Sequence, residues 1–189
     1  MAATPRDLAG LHDLELANLS SAGGRAAFGE LVRRHGSAVR GLLRRMGADA
    51  STADDLAQDA FLAAFERISE FRGEGSFAAW VKRIAARLCA KRWRRAARRA
   101  LAEDGPGIDP PPPADADARI DLDEALRALT PAERMCVSLC HGAGFSHAEA
   151  AEALNTPLGT IKSHVKRGLD KLRERLAAEG GQTERQANG

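Results

Sequence analysis

"SHAEAAEALNTPLGTIKSHVKRGLDKLRERL", residues 146–176, reads as two helices joined by a tight turn. Ser146 followed three residues later by Glu149 is a capping box, and it opens a short helix that runs through Leu154 before Asn155, Thr156 and Pro157 turn the chain. In the second helix Ile161, Val165, Leu169, Leu172 and Leu176 fall on one stripe, while Lys162, Ser163, Lys166, Arg167 and Lys171 lie mostly off it. Two helices around a tight turn, the second basic on its open face, have the form of a helix-turn-helix whose second member enters a major groove. Lys162, Ser163, Lys166 and Arg167 are the side chains expected there, because Lys and Arg read guanine and Ser donates or accepts. A merely solvated face is the plain alternative for any charged helix, but it leaves the capped helix and turn unexplained.

Outward from this motif, Thr130, Pro131 and Glu133 form a second capping box with proline at the first helical position. The helix it opens is expected to end near Gly142 and Gly144, and Leu122, Ala125, Leu126 and Leu129 predict a short helix before it. Residues 102–119, "AEDGPGIDPPPPADADAR", have four consecutive prolines, repeated Asp and almost nothing to bury. They read as an extended linker between two domains without a fixed relative orientation.

The N-terminal side is also helical. Phe28, Leu31, Val32, His35, Val39, Leu42, Leu43 and Met46 share one face of a helix over residues 26–47. Ser51 is expected to cap the next, which carries Ala53, Leu56, Ala57, Ala60, Phe61, Ala64, Phe65 and Ile68 at helical spacing. "RGEGS" breaks the chain, and Ser76 is expected to cap a third helix with Phe77, Trp80, Val81, Ile84 and Leu88 inward. The alternating Val, Ile and Thr runs that strands prefer are absent, so the fold class is all-α.

Charge is segregated far more than the net +2 suggests. Residues 26–100 carry 16 Lys or Arg against 8 Asp or Glu, residues 101–124 carry 1 against 8, and residues 125–179 carry 8 against 6. Two basic blocks flanking an acidic connector point to a polyanionic partner. The densest block, residues 82–99, holds nine basic residues and no acidic one around Trp93, a mixture suited to phosphates and an unpaired base. Opposite in sign is the face of Asp55, Gln58, Asp59, Leu62 and Glu66 with Asp54 beside it, where docking of a basic helix competes with ordinary N-terminal helix charge.

Catalysis has little support: no glycine-rich phosphate loop and no nucleophile–base pair is visible, so the chain is not expected to be an enzyme or to need a cofactor. Cys136, Cys140, His141 and His147 suggest zinc only superficially, because "CVSLCH" sits in a helix with core work to do; no metal is expected, and Cys89, Cys136 and Cys140 are read as buried thiols. No signal peptide and no apolar run of spanning length is present, which predicts a cytoplasmic protein without membrane insertion.

Taken together the motifs resemble bacterial sigma factors of the sigma-70 family, specifically the extracytoplasmic-function group that keeps only the second and fourth sigma regions. Residues 53–85, "ADDLAQDAFLAAFERISEFRGEGSFAAWVKRIA", resemble the region 2 segment that docks on polymerase and leads into promoter melting. Residues 129–174 resemble region 4. The resemblance implies two small helical domains joined by a flexible linker: an N-terminal extension over 1–24, region 2 over 25–100, linker over 101–119, region 4 over 120–177, and a disordered tail over 178–189. It implies core RNA polymerase as partner, through the β′ clamp helices and the β flap, together with promoter DNA and an anti-sigma factor. By position, Asp54, Asp55, Gln58 and Asp59 would bind polymerase. Arg83, Arg87, Lys91, Arg92, Arg94 and Arg95 would face the −10 element, and Thr160, Lys162, Ser163, Lys166 and Arg167 the −35 element.

Arg87 and Lys91 stand where family members commonly carry Asn and then Asp or Asn, so no −10 base preference is carried over. Ala150 replaces a larger aliphatic and predicts a lightly packed, less stable region 4. The principal alternative is a response-regulator type helix-turn-helix transcription factor, which requires a receiver of alternating strands and helices upstream. A nonspecific nucleic-acid binder would explain the charge but not the acidic face.

Overall fold

The computed structural model describes residues 8–102 and 120–187 of the chain. Among the described residues eight helices follow in order: α1 (Asp13–Ser21), α2 (Arg25–Arg45), α3 (Ala50–Glu66), α4 (Phe77–Ala102), α5 (Ile120–Arg127), α6 (Pro131–Val137), α7 (His147–Leu154) and α8 (Leu158–Ala187). A 3-10 turn, Ile68–Glu70, follows α3, and a π-helical turn, Ser138–Gly142, prolongs α6. Among the described residues there is no strand. Most of the linker expected over 101–119 lies outside the described residues, and Leu101 and Ala102 belong to α4.

The N-terminal bundle forms around α2, which packs against α1, α3 and α4. Its expected inner face is buried at Leu31, Val39, Leu42, Leu43 and Met46, with Phe28, Val32 and His35 partly covered. Phe28 meets Phe65 edge-on at 4.9 Å between ring centroids, and Phe77 meets Phe71 at 5.4 Å. Rings of this kind bring large apolar area into a small core, and edge-on pairs add about 1 kcal/mol beyond burial. The cap of α3 differs from expectation: Asp49, not Ser51, accepts from the Thr52 N–H at 2.8 Å. That N–H, and then the Thr52 hydroxyl, hold the Asp49 carboxyl below the usual carboxylate range. Ser76 does cap α4, accepting from the Ala79 N–H at 3.1 Å.

Helix α1 lies within the segment read only as an extension. Its own pattern is weak, with Leu14 and Leu19 exposed, but Leu8, Leu16 and Ala17 are buried against the bundle. Arg34 of α2 holds the segment by donating to the carbonyls of Leu8, Ala9 and Leu11 and to the Asp13 carboxylate. The docking is therefore tertiary, carried by a side chain more than twenty residues away.

In the C-terminal unit both capping boxes form, Thr130 with Glu133 and Ser146 with Glu149. Asn155 closes α7 in the left-handed region at φ 50°, which frees the chain to turn into α8. Ile161, Val165 and Leu172 of α8 are buried, and α8 packs on α5, α6 and α7. Gly168 sets the closest approach, since a Cβ there would stand 2.7 Å from Val137 Cγ2. Overpacking of this sort typically costs about 1–3 kcal/mol. Gly168→Leu is accordingly expected to lower the midpoint of thermal unfolding, with the loss confined to the C-terminal unit when amide hydrogen exchange is followed along the chain. Helix α8 also continues to Ala187 where a disordered tail is expected from residue 178, because Ala, Glu, Gln and Arg around the Gly180–Gly181 pair favour continued helix.

The two units are not held apart. One apolar core runs from Leu16, Leu42 and Val81 of the N-terminal bundle to Cys136, Leu139, Phe145 and Ile161 of the C-terminal unit. This replaces the expected lack of fixed orientation with a direct contact. The Ser138 hydroxyl donates to the Arg45 carbonyl at 3.3 Å, and a Cβ on Gly142 would meet Leu42 Cδ1 at 2.8 Å. Ala150, expected to pack lightly, is fully buried in the same core.

Candidate nucleic-acid interface

The open side of the second helix of the helix-turn-helix carries Thr160, Lys162, Ser163, Lys166 and Arg167, all exposed. The amphipathic stripe puts them there, because burying Ile161, Val165 and Gly168 turns the intervening residues outward. Ser163 donates its hydroxyl to the Gly159 carbonyl at 2.9 Å, which leaves its lone pairs available to a donor on a base. Arg167 is partly tethered: its Nε lies 3.9 Å from Glu133, and its Nη2 lies 3.2 Å from His164 Nδ1. Glu133 is nearly buried and bonds Lys171 Nζ at 2.8 Å. Burial acts to raise its carboxyl, but Lys171 and Thr130 outweigh it and hold the group below its ordinary range. The basic face of α8 is thus braced from beneath by one ionised carboxylate.

The second basic surface follows α4. Arg87, Lys91, Arg92 and Arg95 are exposed, Arg83 and Arg94 half-buried. Arg94 Nε is buried with no partner among the described residues. Trp93 corrects the expectation of a stacking platform: it is half-buried and packs against the core, so that segment offers cations rather than an aromatic face. Arg83 points at the C-terminal unit, where it donates to the Gly144 carbonyl at 2.9 Å, pairs with the Glu149 carboxylate and lies over the Phe145 ring at 4.8 Å. Arg87 lies over the same ring at 5.6 Å.

The acidic face is on α3. Asp54, Asp55, Gln58 and Asp59 are exposed, with Leu62 56% exposed among them. Alongside runs a groove of about 560 Å³, floored by Phe28, Val32, Ala57, Phe61 and Phe65, with Arg25, Arg40 and Asp54 at its rim. Arg40 Nε stands 3.7 Å from Asp54, so part of that charge is already answered, whereas Asp55 and Asp59 face solvent one turn apart. The groove was not legible in sequence, since Phe28 and Phe65 look like ordinary core positions until the two helices meet.

The thiols belong to packing. Burial pushes Cys89 and Cys136 up to about 12 and raises Cys140, which is half-covered. Among the described residues no three metal-ligating side chains converge. No helix among them is long and apolar enough to cross a membrane.

Residues 31–99 match the model of sigma-70 region 2, and residues 119–172 match that of sigma-70 region 4. The chain belongs to the extracytoplasmic-function group of sigma-70 family RNA polymerase sigma factors. It is 35% identical over 167 residues to the sigma factor SigE of Mycolicibacterium smegmatis, a match covering 84% of this chain and 65% of SigE. It is 32% identical to the sigma factor NccH of Alcaligenes xylosoxydans xylosoxydans, over 85% of this chain and 92% of NccH. SigM of Mycobacterium tuberculosis is 34% identical, over 85% and 82% of the two chains. Among solved structures it resembles CnrH in complex with the cytosolic domain of CnrY, at 30% identity and a TM-score of 0.51, over 88% of this chain and 97% of that one. It also resembles the sigma factor RpoE in complex with the anti-sigma factor NepR from Bartonella quintana, at 26% identity and a TM-score of 0.54, over 79% and 96%.

A sigma factor directs RNA polymerase to promoters and is not itself an enzyme. Region 2 takes in α3 with the acidic face and α4 with its arginines, and region 4 takes in the helix-turn-helix. The response-regulator alternative fails here, since region 2 helices occupy the stretch where a receiver domain would have to lie.

Proposed function

We propose that this sigma factor divides its work among three faces. Asp55 and Asp59, with Asp54, Gln58 and the exposed Leu62, dock on the β′ clamp helices of core RNA polymerase. Arg83, Arg87, Lys91, Arg92 and Arg95 engage the −10 element and its opened strand, with Arg94 adding charge beneath them. Thr160, Lys162, Ser163, Lys166 and Arg167 read the −35 element, with region 4 seated on the β flap. The observation that carries this reading is the separation of the faces: acid around an apolar groove on α3, cations along α4, and polar and basic side chains on the open side of α8. Acid and groove suit a basic helical protein partner, whereas unopposed cations suit phosphate.

The protein works in the cytoplasm, where polymerase is found, and an anti-sigma protein restrains it. The second point is supported by the relatives CnrH and RpoE, solved with CnrY and with the anti-sigma factor NepR. In vitro transcription with core polymerase and a genomic promoter pool tests the reading. Transcripts that require the protein and share a spaced pair of upstream elements are expected. A transcript set unchanged by its addition would overturn the proposal.

A further inference from the structure

The guanidinium of Arg167 is held from two sides. Its Nη2 lies 3.2 Å from Nδ1 of His164, one turn back along α8, and its Nε stands 3.9 Å from Oε1 of Glu133 on α6. A guanidinium only donates, so the first contact makes Nδ1 the acceptor and puts the ring proton of His164 on Nε2. The Glu133 carboxylate is itself fixed, because Oε2 accepts from the Thr130 N–H at 3.1 Å and from Lys171 Nζ at 2.8 Å, which leaves Oε1 to face Arg167. Gly168 lets the two helices come close enough for this. A Cβ there would stand 3.6 Å from Glu133 Cβ, so the carboxylate reaches α8 between Arg167 and Lys171, one turn apart. Arg167 stays 59% exposed above Glu133, which is 5% exposed. A buried, fixed carboxylate and a neighbouring ring nitrogen therefore set the plane of an exposed cation.

From this geometry we infer that Glu133 and His164 are positioning residues that make Arg167 a reader of base identity rather than a general phosphate contact. The inference rests on the assignment of Arg167 to the −35 element made above. An untethered arginine on a helix face samples many rotamers and meets whatever phosphate is nearest, which adds affinity without sequence information. Discrimination needs the planar fork held in a narrow range of directions, since a two-pronged contact with guanine O6 and N7 fails when the plane turns. The contacts within the protein engage Nε and one N–H of Nη2. Both N–H groups of Nη1 and the second of Nη2 remain for a base edge. Arg167 thus gives up reach, and with it part of its share of affinity, and gains direction. Neither Glu133 nor His164 has to touch DNA for this.

The test presents holoenzyme with a duplex pool randomised over the upstream element and sequences the bound fraction at one salt concentration. Glu133→Gln removes the charge but keeps a residue able to complete the α6 cap. His164→Ala removes the ring acceptor, and His164→Asn returns an acceptor near the place of Nδ1. Arg167→Ala is expected to abolish the base preference at the position Arg167 reads. Glu133→Gln and His164→Ala are each expected to weaken the preference there about fivefold, the lower end of what a two-pronged contact supplies, and to leave the other positions unchanged. His164→Asn is expected to restore most of it. In an Arg167→Ala background neither substitution is expected to change the preference further, a non-additivity that a merely structural role would not produce. Flattening at every position, or flattening that persists without Arg167, would make the two residues structural and overturn the inference. Full preference retained by Glu133→Gln or His164→Ala, or an asparagine variant no better than alanine, would overturn it too, and Arg167 would keep its assignment. An unchanged preference in Arg167→Ala itself would remove that assignment and the inference with it.

Discussion

Core RNA polymerase is expected to reject the Asp55→Lys/Asp59→Lys variant, while its circular dichroism matches that of the parent. Both carboxylates are exposed on α3, one turn apart, and neither contributes to the cap, which Asp49 and Thr52 provide. Helix formation therefore does not depend on them. Reversing each charge against a basic partner costs about 2 kcal/mol or more, so the pair weakens association by about a thousandfold. Asp54→Lys alone is expected to do less, because Arg40 already stands 3.7 Å from that carboxylate. Co-purification with core enzyme and competition against the parent protein measure the effect. Undiminished binding of the double variant would take the polymerase interface off this face of α3.

How far the sequence leads depends on whether the deciding interaction is local. Thr130 with Glu133 and Ser146 with Glu149 are pairs three residues apart, and both boxes form as their spacing predicts. The stripe of Ile161, Val165 and Leu172 buries as its period demands, and the exposed positions of α8 follow from it. The cap of α3 is Asp49 where the pattern points to Ser51, because both offer an oxygen near the right place and hydrophobic periodicity does not discriminate between starts two residues apart.

Non-local features stayed hidden. Helix α1 depends on Arg34 gathering three carbonyls and Asp13, a contact that no window of local sequence contains. The junction of the two units joins Arg83 to Glu149, 66 residues on, and Ser138 to Arg45, 93 residues back. Glu149 was concealed by its own legibility, since a completed capping box accounts for a glutamate at that position and invites no search for a second role. Trp93 misled in the opposite way: its basic neighbours suggest a nucleic-acid platform, yet the helix phase turns the ring toward the core. Composition gives the charge of a segment, and only the packing gives the direction of each side chain.

The division of labour between the two basic surfaces is open to a sharper trial, because they are expected to act on different states of DNA. Lys166→Ala/Arg167→Ala removes two exposed cations from the open face of α8, where, on the proposed reading, each lost base contact typically costs about 1–3 kcal/mol and relaxes specificity. Lys166 is expected to account for more of the loss, since Arg167 is partly drawn toward Glu133 and His164. A template with a premelted −10 bubble is not expected to restore this variant, since the proposed duplex recognition upstream precedes opening. Arg87→Ala/Lys91→Ala should still recruit polymerase to duplex DNA, and the bubble should return part of its transcription, because the energetic help these side chains are proposed to give to strand separation is no longer needed. Run-off transcription on paired duplex and bubble templates, at one salt concentration, gives the comparison; salt must be fixed because phosphate contacts exchange with counterions. Loss of the α4 cations also frees the Phe145 ring from Arg87, so this variant is expected to loosen the contact between the units as well as to melt DNA poorly. Equal rescue of both variants by the bubble would mean that α8 and α4 act at the same step, and the assignment of −35 reading to one and strand opening to the other would fall.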